Sequence, residues 1–116
     1  MVAMHELALM EALRERALEQ AERHGGGAIR SITLRVGSLA GVELEALELA
    51  FAVVMEGEGA APVQLKIEPV VARCFCSSCA KNFEAVDGCC ECPGCGRISH
   101  HLVAGRELDL VSLELE

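Results

Sequence analysis

The stretch CFCSSCAKNFEAVDGCCECPGC, residues 74–95, carries two C-x-x-C pairs, Cys76/Cys79 and Cys92/Cys95. A C-x-x-C turn brings two thiolates to one point, and a second turn of this kind completes a tetrahedron of sulfur ligands. The Pro-Gly-Cys-Gly run at the second pair lets the backbone pass close to the sulfurs, so that amide N–H groups can bond to them. The spacing therefore predicts a structural zinc site with these four cysteines as ligands.

Three further cysteines, Cys74, Cys89 and Cys90, surround this set. Cys89 and Cys92 are also spaced C-x-x-C, so the ligand set could slip by one pair, although the Pro-Gly-Cys-Gly turn favours Cys92/Cys95. The spare cysteines are either small buried apolar groups or disulfide partners. Paired C-x-x-C turns in a chain without an export signal favour metal binding over disulfides.

The acidic balance of the chain limits its partners. Acidic residues outnumber basic ones 18 to 10, giving a formal net charge of −8. Zinc ribbons that bind nucleic acid need Lys and Arg to neutralise phosphates. No run of consecutive basic residues is present, so nucleic acid is not an expected partner.

The amino-terminal residues MVAMHELALM lack the basic and apolar regions of a signal peptide, and they include His5 and Glu6. No apolar run reaches the length of a membrane span. With seven cysteines and no export signal, the chain is expected to be cytoplasmic and to have no membrane partner.

Hydrophobic periodicity predicts an α+β fold. Apolar residues recur at helical spacing in two segments and alternate in three. The cysteine module, residues 72–99, buries few bulky groups and would depend on its metal for stability. The predicted elements are a helix over 4–24, a strand over 29–36, a helix over 43–56, a strand over 63–67 and a last strand within GRELDLVSLELE, residues 105–116.

The apolar stripes of the two helices must be buried against another element, and a small three-stranded sheet would bury them. We therefore expect two helices packed on this sheet, with an inserted zinc-ribbon-like four-cysteine module. The corresponding domains are residues 1–71 plus 104–116, and residues 72–103. The apolar phase of the last strand switches near Val111-Ser112, which predicts a β-bulge or a strand buried on both sides.

His5 and Glu6 form a second candidate metal site. An imidazole beside a carboxylate can bind a divalent cation, and nitrogen donors suit Ni(II) or Cu(II). The residues alone also fit the solvated start of a helix, where the helix dipole favours Glu. His24 fits a cation at a helix C-terminus, and His100 and His101 fit exposed turn residues or an additional metal ligand.

Several motifs together resemble one family. Met4-His5-Glu6-Leu7 opens a helix as the Met-His-Glu start of the HypA/HybF hydrogenase nickel-incorporation proteins does. Further matching stretches run through the whole chain in register. They are Arg35-Val36-Gly37, LELAF at 47–51, Glu58-Gly59-Ala60 before Leu-Lys-Ile-Glu, both cysteine pairs, and Gly105-Arg106-Glu107-Leu108.

This resemblance implies a nickel metallochaperone that is not an enzyme. In that family four cysteines hold structural zinc, and transferable nickel binds at the amino-terminal His and its neighbours. By matched position, His5 would be the primary nickel ligand, and Glu6 would belong to the nickel site. The implied partners are the nickel-handling GTPase HypB and the [NiFe]-hydrogenase large-subunit precursor, with the protein itself a monomer or homodimer.

The chain departs from the family pattern at its beginning, because Met1-Val2-Ala3 precede Met4. If translation starts at Met1, the terminal amine lies too far away to complete the usual chelate. Either the true start is Met4, or nickel is held by His5 with amides and another donor. The alternatives to a nickel chaperone are a zinc-ribbon regulatory or nucleic-acid-binding module, an iron–thiolate redox protein, and a scaffold stapled by zinc.

Overall fold

The computed structural model describes residues 4–59 and 61–116. Within these residues two helices and six strands follow one another. Their bounds are α1 Met4–Arg23, β1 Ile29–Gly37, α2 Leu44–Val54, β2 Gln64–Val70, β3 Arg73–Cys76, β4 Lys81–Glu84, β5 Leu102–Ala104 and β6 Leu108–Leu115. The helices and long strands predicted from periodicity are confirmed, and the three short strands lie in or beside the cysteine module.

Helix α1 buries one stripe of apolar side chains. Met10, Leu13, Ala17 and Ala21 recur every three or four residues, and each is at most 9% exposed. The helix ends at Arg23, just before three consecutive glycines at 25–27, and the N–H of Gly26 donates to the Ala21 carbonyl at 2.8 Å. Residues that close a helix in this way adopt positive φ, which glycine accepts most readily.

Helix α2 packs against α1 through Leu47, Ala50 and Phe51, which are nearly inaccessible to solvent. Leu44 lies outside this buried stripe, although it has the helical spacing to Leu47, and its side chain is 47% exposed. Leu44 is the first residue of α2, and the buried stripe begins one turn later.

The first sheet has the strand order β2-β1-β6, so the predicted three-stranded sheet is confirmed. Its central strand β1 carries the buried residues Ile32 and Leu34. Strand β2 continues through Pro69 to Val70, beyond the predicted end. Proline is tolerated there because β2 is an edge strand, where a missing N–H need not break a ladder bond.

An ion pair joins the two outer strands of this sheet. The Lys66 ammonium donates to a Glu114 carboxylate oxygen at 3.0 Å. The hydrogen bond from Lys66 and the charge of its ammonium group, with a smaller contribution from the Ser31 hydroxyl, lower the pKa of Glu114 below its usual value. Ser31, on β1 between these strands, is 2% exposed.

In strand β6 the partly buried residues change from one alternating set to the other at Val111-Ser112, as the sequence predicts. Val111 and Ser112 are consecutive exposed residues, and every other residue is partly buried on either side of them. Val111 is 41% exposed, which disfavours burial on both faces and favours the bulge interpretation.

A second sheet, of strand order β4-β3-β5, was not predicted. Strands β3 and β4 form an antiparallel hairpin in which Cys74 faces Phe83 and Cys76 faces Lys81. These strands are four residues long, too short for a periodic signal to stand out in the sequence.

Three segments of chain meet at Gly105. Its carbonyl accepts the N–H of Leu39 at 2.6 Å. A Cβ at Gly105 would lie 2.7 Å from the Ala72 Cα, and one at Gly37 would overlap the Gly105 carbonyl. Gly105 also has a φ of +126°, so glycine is required there by both space and conformation.

The chain divides into two compact units. One comprises the residues up to 34, 42–67 and 109–116, and it holds both helices. The other comprises residues 35–41 and 68–108, and it holds the cysteine module. Neither helix of the described residues combines the length and the apolar character needed to cross a bilayer.

We predict that Gly105→Ala lowers the free energy of unfolding by roughly 2–4 kcal/mol, since it adds both backbone strain and overlap with Ala72. Urea unfolding followed by circular dichroism in the presence of zinc would measure this. Gly25→Ala is a matched control, because Gly25 has a φ of +106° and nothing within 4 Å of its added Cβ. An equal loss in both variants would show that the contact with Ala72 does not matter.

Candidate metal centre

The hairpin β3–β4 positions the first cysteine pair. Cys76 is the last residue of β3, and Cys79 lies in the turn before β4 begins at Lys81. Ala80 closes this turn with a φ of 54°. The chain reverses at once after Cys76, so both sulfurs point to one place, as the C-x-x-C spacing predicts.

A tight turn positions the second pair. The N–H of Cys92 donates to the Arg97 carbonyl at 2.9 Å, and the N–H of Gly96 donates back to the Cys92 carbonyl at 2.8 Å. A short antiparallel bridge between Glu91 and Ile98 closes the base of this turn.

The four predicted ligands come together. The sulfurs of Cys76, Cys79, Cys92 and Cys95 all lie within 4.8 Å of one another. Two of the separations are 3.6 Å, between Cys76 and Cys95, and 3.9 Å, between Cys92 and Cys79. Tetrahedral zinc with Zn–S bonds of about 2.3 Å requires sulfurs about 3.8 Å apart. The donor set and its spacing therefore fit a tetrahedral thiolate-binding metal.

Backbone amides of the second turn stabilise one thiolate. The N–H groups of Cys95 and, to a smaller extent, Gly94 lower the pKa of Cys92 from 9.0 to about 7, although burial opposes this shift. Gly94 can approach because it has no side chain, and a Cβ there would lie 3.5 Å from the Cys79 sulfur. The predicted role of the Pro-Gly-Cys-Gly run is thus seen in the geometry.

The sulfurs themselves raise the pKa of another ligand. Hydrogen bonds with Cys95, Cys92 and Cys76, in that order of size, raise the pKa of Cys79 from 9.0 to about 12. In the metal-free set, Cys92 is therefore ionised at a much lower pH than Cys79. A bound metal must displace the Cys79 proton at neutral pH, since metals bind the thiolate form.

The cluster is half enclosed. Cys76 and Cys92 are buried with Phe83, whereas Cys79 is partly exposed and Cys95 is exposed. Four thiolates fill a tetrahedral site and leave no position for an activated water. Such a centre fastens two turns together and performs no hydrolytic chemistry.

The spare cysteines do not join this cluster. Cys74 and Cys90 form a disulfide with a Cα–Cα distance of 5.9 Å. This disulfide differs from the expectation that the cysteines favour metal binding over disulfides, whereas the complete burial of Cys74 is as expected of a small apolar group. Cys89 is exposed and free, and its sulfur does not belong to the four-sulfur group.

The histidines lie outside the cluster too. His100 and His101 are exposed, and the His101 ring packs edge-on against Phe75 with centroids 5.7 Å apart. His24 lies at the end of α1, with its Nδ1 2.9 Å from the Gln20 carbonyl oxygen, as expected of a histidine that caps a helix C-terminus.

His5 and Glu6 occupy the first turn of α1 and differ in environment. His5 is exposed, whereas Glu6 is only 7% exposed. Its Oε2 has no hydrogen-bond partner among the residues that the structure describes. No local pattern predicts this burial, because a Glu in a first helical turn is usually solvated.

Within residues 4–59 and 61–116, the four-cysteine set is the one group of three or more His, Cys, Asp or Glu side chains spaced to hold a metal ion. The geometry therefore does not assemble a complete second site around His5 and Glu6. The prediction about Met1-Val2-Ala3 lies outside the described residues, as does Ala60 of the matching Glu58-Gly59-Ala60 stretch.

Comparison with known proteins decides the family. Residues 4–115 match the family model described as hydrogenase/urease nickel incorporation, metallochaperone, HypA. The chain belongs to the HypA family. Hydrogenase maturation factor HypA of Picosynechococcus sp. is 40% identical over 112 residues, covering 97% of this chain and 99% of that protein. The HypA of Synechococcus elongatus is 42% identical with the same coverage.

Solved HypA structures share the fold. The solution structure of the Ni metallochaperone HypA from Helicobacter pylori superimposes with a TM-score of 0.67 at 21% identity, covering 95% of this chain and 96% of that one. A second solution structure of a HypA protein gives 0.66 at 22% identity, covering 98% of each chain. HypA proteins are nickel metallochaperones of hydrogenase maturation and not enzymes.

We predict that Cys95→Ser lowers the zinc content of the purified protein well below one ion per chain, because it removes one of the four sulfurs. Cys89→Ser should retain full zinc, since Cys89 lies outside the cluster. Atomic absorption after dialysis against a weak chelator measures both. Loss of zinc in Cys89→Ser with retention in Cys95→Ser would show that the ligand set has slipped.

We also predict that apparent zinc affinity falls as the pH is lowered, because protons compete with the metal for thiolates. As the pH falls through about 7, Cys92 becomes protonated as well, so one more proton is displaced and the dependence steepens. Competition with a chromophoric chelator between about pH 6 and 8.5 measures the slope. A slope that stays constant through this range would contradict the low pKa of Cys92.

Proposed function

We propose that this chain binds Ni(II) through its amino-terminal residues and assists its insertion into the large subunit of [NiFe]-hydrogenase, while a structural zinc holds the four-cysteine module. The match to the HypA family over residues 4–115 carries this proposal. The remaining support is the different chemistry of the two candidate metal sites.

The four-cysteine cluster suits zinc better than nickel. Its sulfur separations of 3.6 and 3.9 Å fit a tetrahedron, and a closed set of four thiolates is the usual structural zinc site. Nickel(II) prefers square or tetragonal arrangements of nitrogen and oxygen donors. Zinc in this cluster would supply stability to the module, whose sheet has short strands.

His5 and Glu6 are better suited than the cysteine cluster to bind the transferable nickel ion. An exposed imidazole at the first turn of α1 can reach a metal without any rearrangement of the core. The buried Oε2 of Glu6 lacks a hydrogen-bond partner among the described residues, and a nearby cation would compensate its desolvation. A site with few ligands and an exposed primary ligand favours transfer of the ion over permanent retention. We propose His5 as the primary nickel ligand and Glu6 as a residue of the same site.

The remaining assignments follow the family. We propose the nickel-handling GTPase HypB and the hydrogenase large-subunit precursor as partners, a cytoplasmic location, and a monomer or homodimer. We propose residues 1–71 with 104–116 as the nickel-binding domain and residues 72–103 as the zinc-binding domain. The formal charge of −8 disfavours the alternative of a nucleic-acid-binding zinc ribbon.

The deciding experiment is a nickel titration of zinc-loaded protein by isothermal calorimetry. We expect His5→Ala to abolish the nickel site, because it removes the primary ligand. Glu6→Gln should weaken nickel binding by about tenfold to a hundredfold, as loss of a supporting carboxylate does at other metal sites. Zinc content is measured on every sample and should be unchanged.

His24→Ala is the matched control, since His24 is exposed and lies just beyond the other end of the same helix. It should bind nickel as the wild type does. Equal nickel affinity in His5→Ala and wild type would reduce His5 to a residue of the helix start and move attention to His100 and His101.

A further inference from the structure

We propose that Cys74 and Cys90 form a thiol–disulfide exchange site, at which a low-molecular-weight disulfide converts two thiols into a bond that duplicates the metal cross-link. This inference goes beyond nickel delivery. The exchange reaction involves none of the four metal ligands. Only its effect, tighter retention of the metal, depends on the four-cysteine centre.

The two cysteines flank the metal ligands in parallel positions. Cys74 stands two residues before Cys76, and Cys90 stands two residues before Cys92. The disulfide spans 16 residues, and Cys76 and Cys92 are the same distance apart in sequence. The bond therefore joins the same two chain segments that a metal would join through its ligands.

The pair fits beside the cluster without disturbing it. The Cα–Cα distance of 5.9 Å lies within the usual range for disulfides, about 4.4–6.8 Å. Cys74 is completely buried and packs with Cys76, Phe83 and Cys92, and Cys90 packs against this group from a partly exposed position. The four ligand sulfurs keep their tetrahedral spacing with the disulfide in place.

The difference in exposure sets the order of exchange. Cys90 is partly exposed and Cys74 is inaccessible, so a disulfide reagent reacts first at Cys90. The Cys90 thiolate attacks one sulfur of the reagent, which forms a mixed disulfide and releases one thiolate. The Cys74 thiolate then attacks the Cys90 sulfur and expels the second. Two protein thiols are oxidised, one reagent disulfide is reduced to two thiols, and an external thiol reverses both steps through Cys90.

The bond changes how strongly the module depends on its metal. Without metal or disulfide, the two C-x-x-C turns are held together only by short strands and a small apolar cluster. A cross-link around a loop of this length keeps the ligands close after the metal leaves. In the chain-entropy model the cross-link would raise the apparent zinc affinity by up to about 100-fold. We expect this gain to appear as slower zinc release. Disulfides in reducing compartments are transient, so this cross-link would form under oxidising conditions and be lost again under reducing ones.

The first test maps the bond. Reduced, zinc-loaded full-length protein is exposed to glutathione disulfide without oxygen, alkylated, and digested without reduction for mass spectrometry. We expect one internal disulfide, between Cys74 and Cys90, with zinc retained. Cys89→Ser is the matched control and should form the same bond, because Cys89 is exposed and free. Cys90→Ser should form none, and its partly exposed position makes this change milder for packing than a change at Cys74.

The second test measures zinc release to a chelator from the oxidised and the reduced protein. We expect release to be slower from oxidised wild type and oxidised Cys89→Ser than from their reduced forms, and unaffected by oxidant in Cys90→Ser. A disulfide that includes Cys89 or a ligand cysteine, a stable glutathione adduct on Cys90, or equal release rates with the bond formed would each overturn the proposal. Neither readout involves nickel, so failure here is distinct from failure of the proposed function.

Discussion

Four sulfur atoms within 4.8 Å of one another set the geometry of the cysteine module. Thiolates this close repel one another unless a cation lies between them, and two of the four have pKa values displaced in opposite directions. The turns that carry them and the short strands beside them have little apolar burial of their own. The module therefore depends on what lies at the centre of the tetrahedron more than on its core.

The helical unit depends on a different kind of force. Its buried residues are mostly apolar side chains of α1, α2 and β1, so burial of apolar surface is its main source of stability. A self-supporting unit can present an exposed imidazole at a helix start without losing stability when that side chain gains or loses a cation. The two proposed metals thus differ in what their departure does to the protein. In the proposed function, zinc would hold the cysteine module together and nickel would be carried.

The sequence predicted the parts of this structure that have a repeated or fixed spacing. The two helices, the three-stranded sheet and the four sulfurs at one point follow from periodicity or from C-x-x-C spacing. The second sheet was missed because its strands are too short to show a period. The Cys74–Cys90 bond was not predicted, because disulfides are rare in proteins that lack an export signal. The local spacing pointed the other way, since each of these cysteines precedes a C-x-x-C pair by two residues. The burial of Glu6 depends on tertiary packing, which no local pattern records.

The meeting of Gly37, Ala72 and Gly105 has a consequence for how this chain can change over time. Backbone lies against backbone there, and the one side-chain atom in these contacts, the Cβ of Ala72, has no rotamer that could change to absorb a substitution. Compensating replacements, which let ordinary apolar cores drift in composition, are unavailable at such a point. The exposed turn at residues 86–89, between β4 and Cys90, has no comparable restriction. Insertions and deletions should therefore accumulate in that turn, while the crossing at Gly105 stays fixed in both sequence and register.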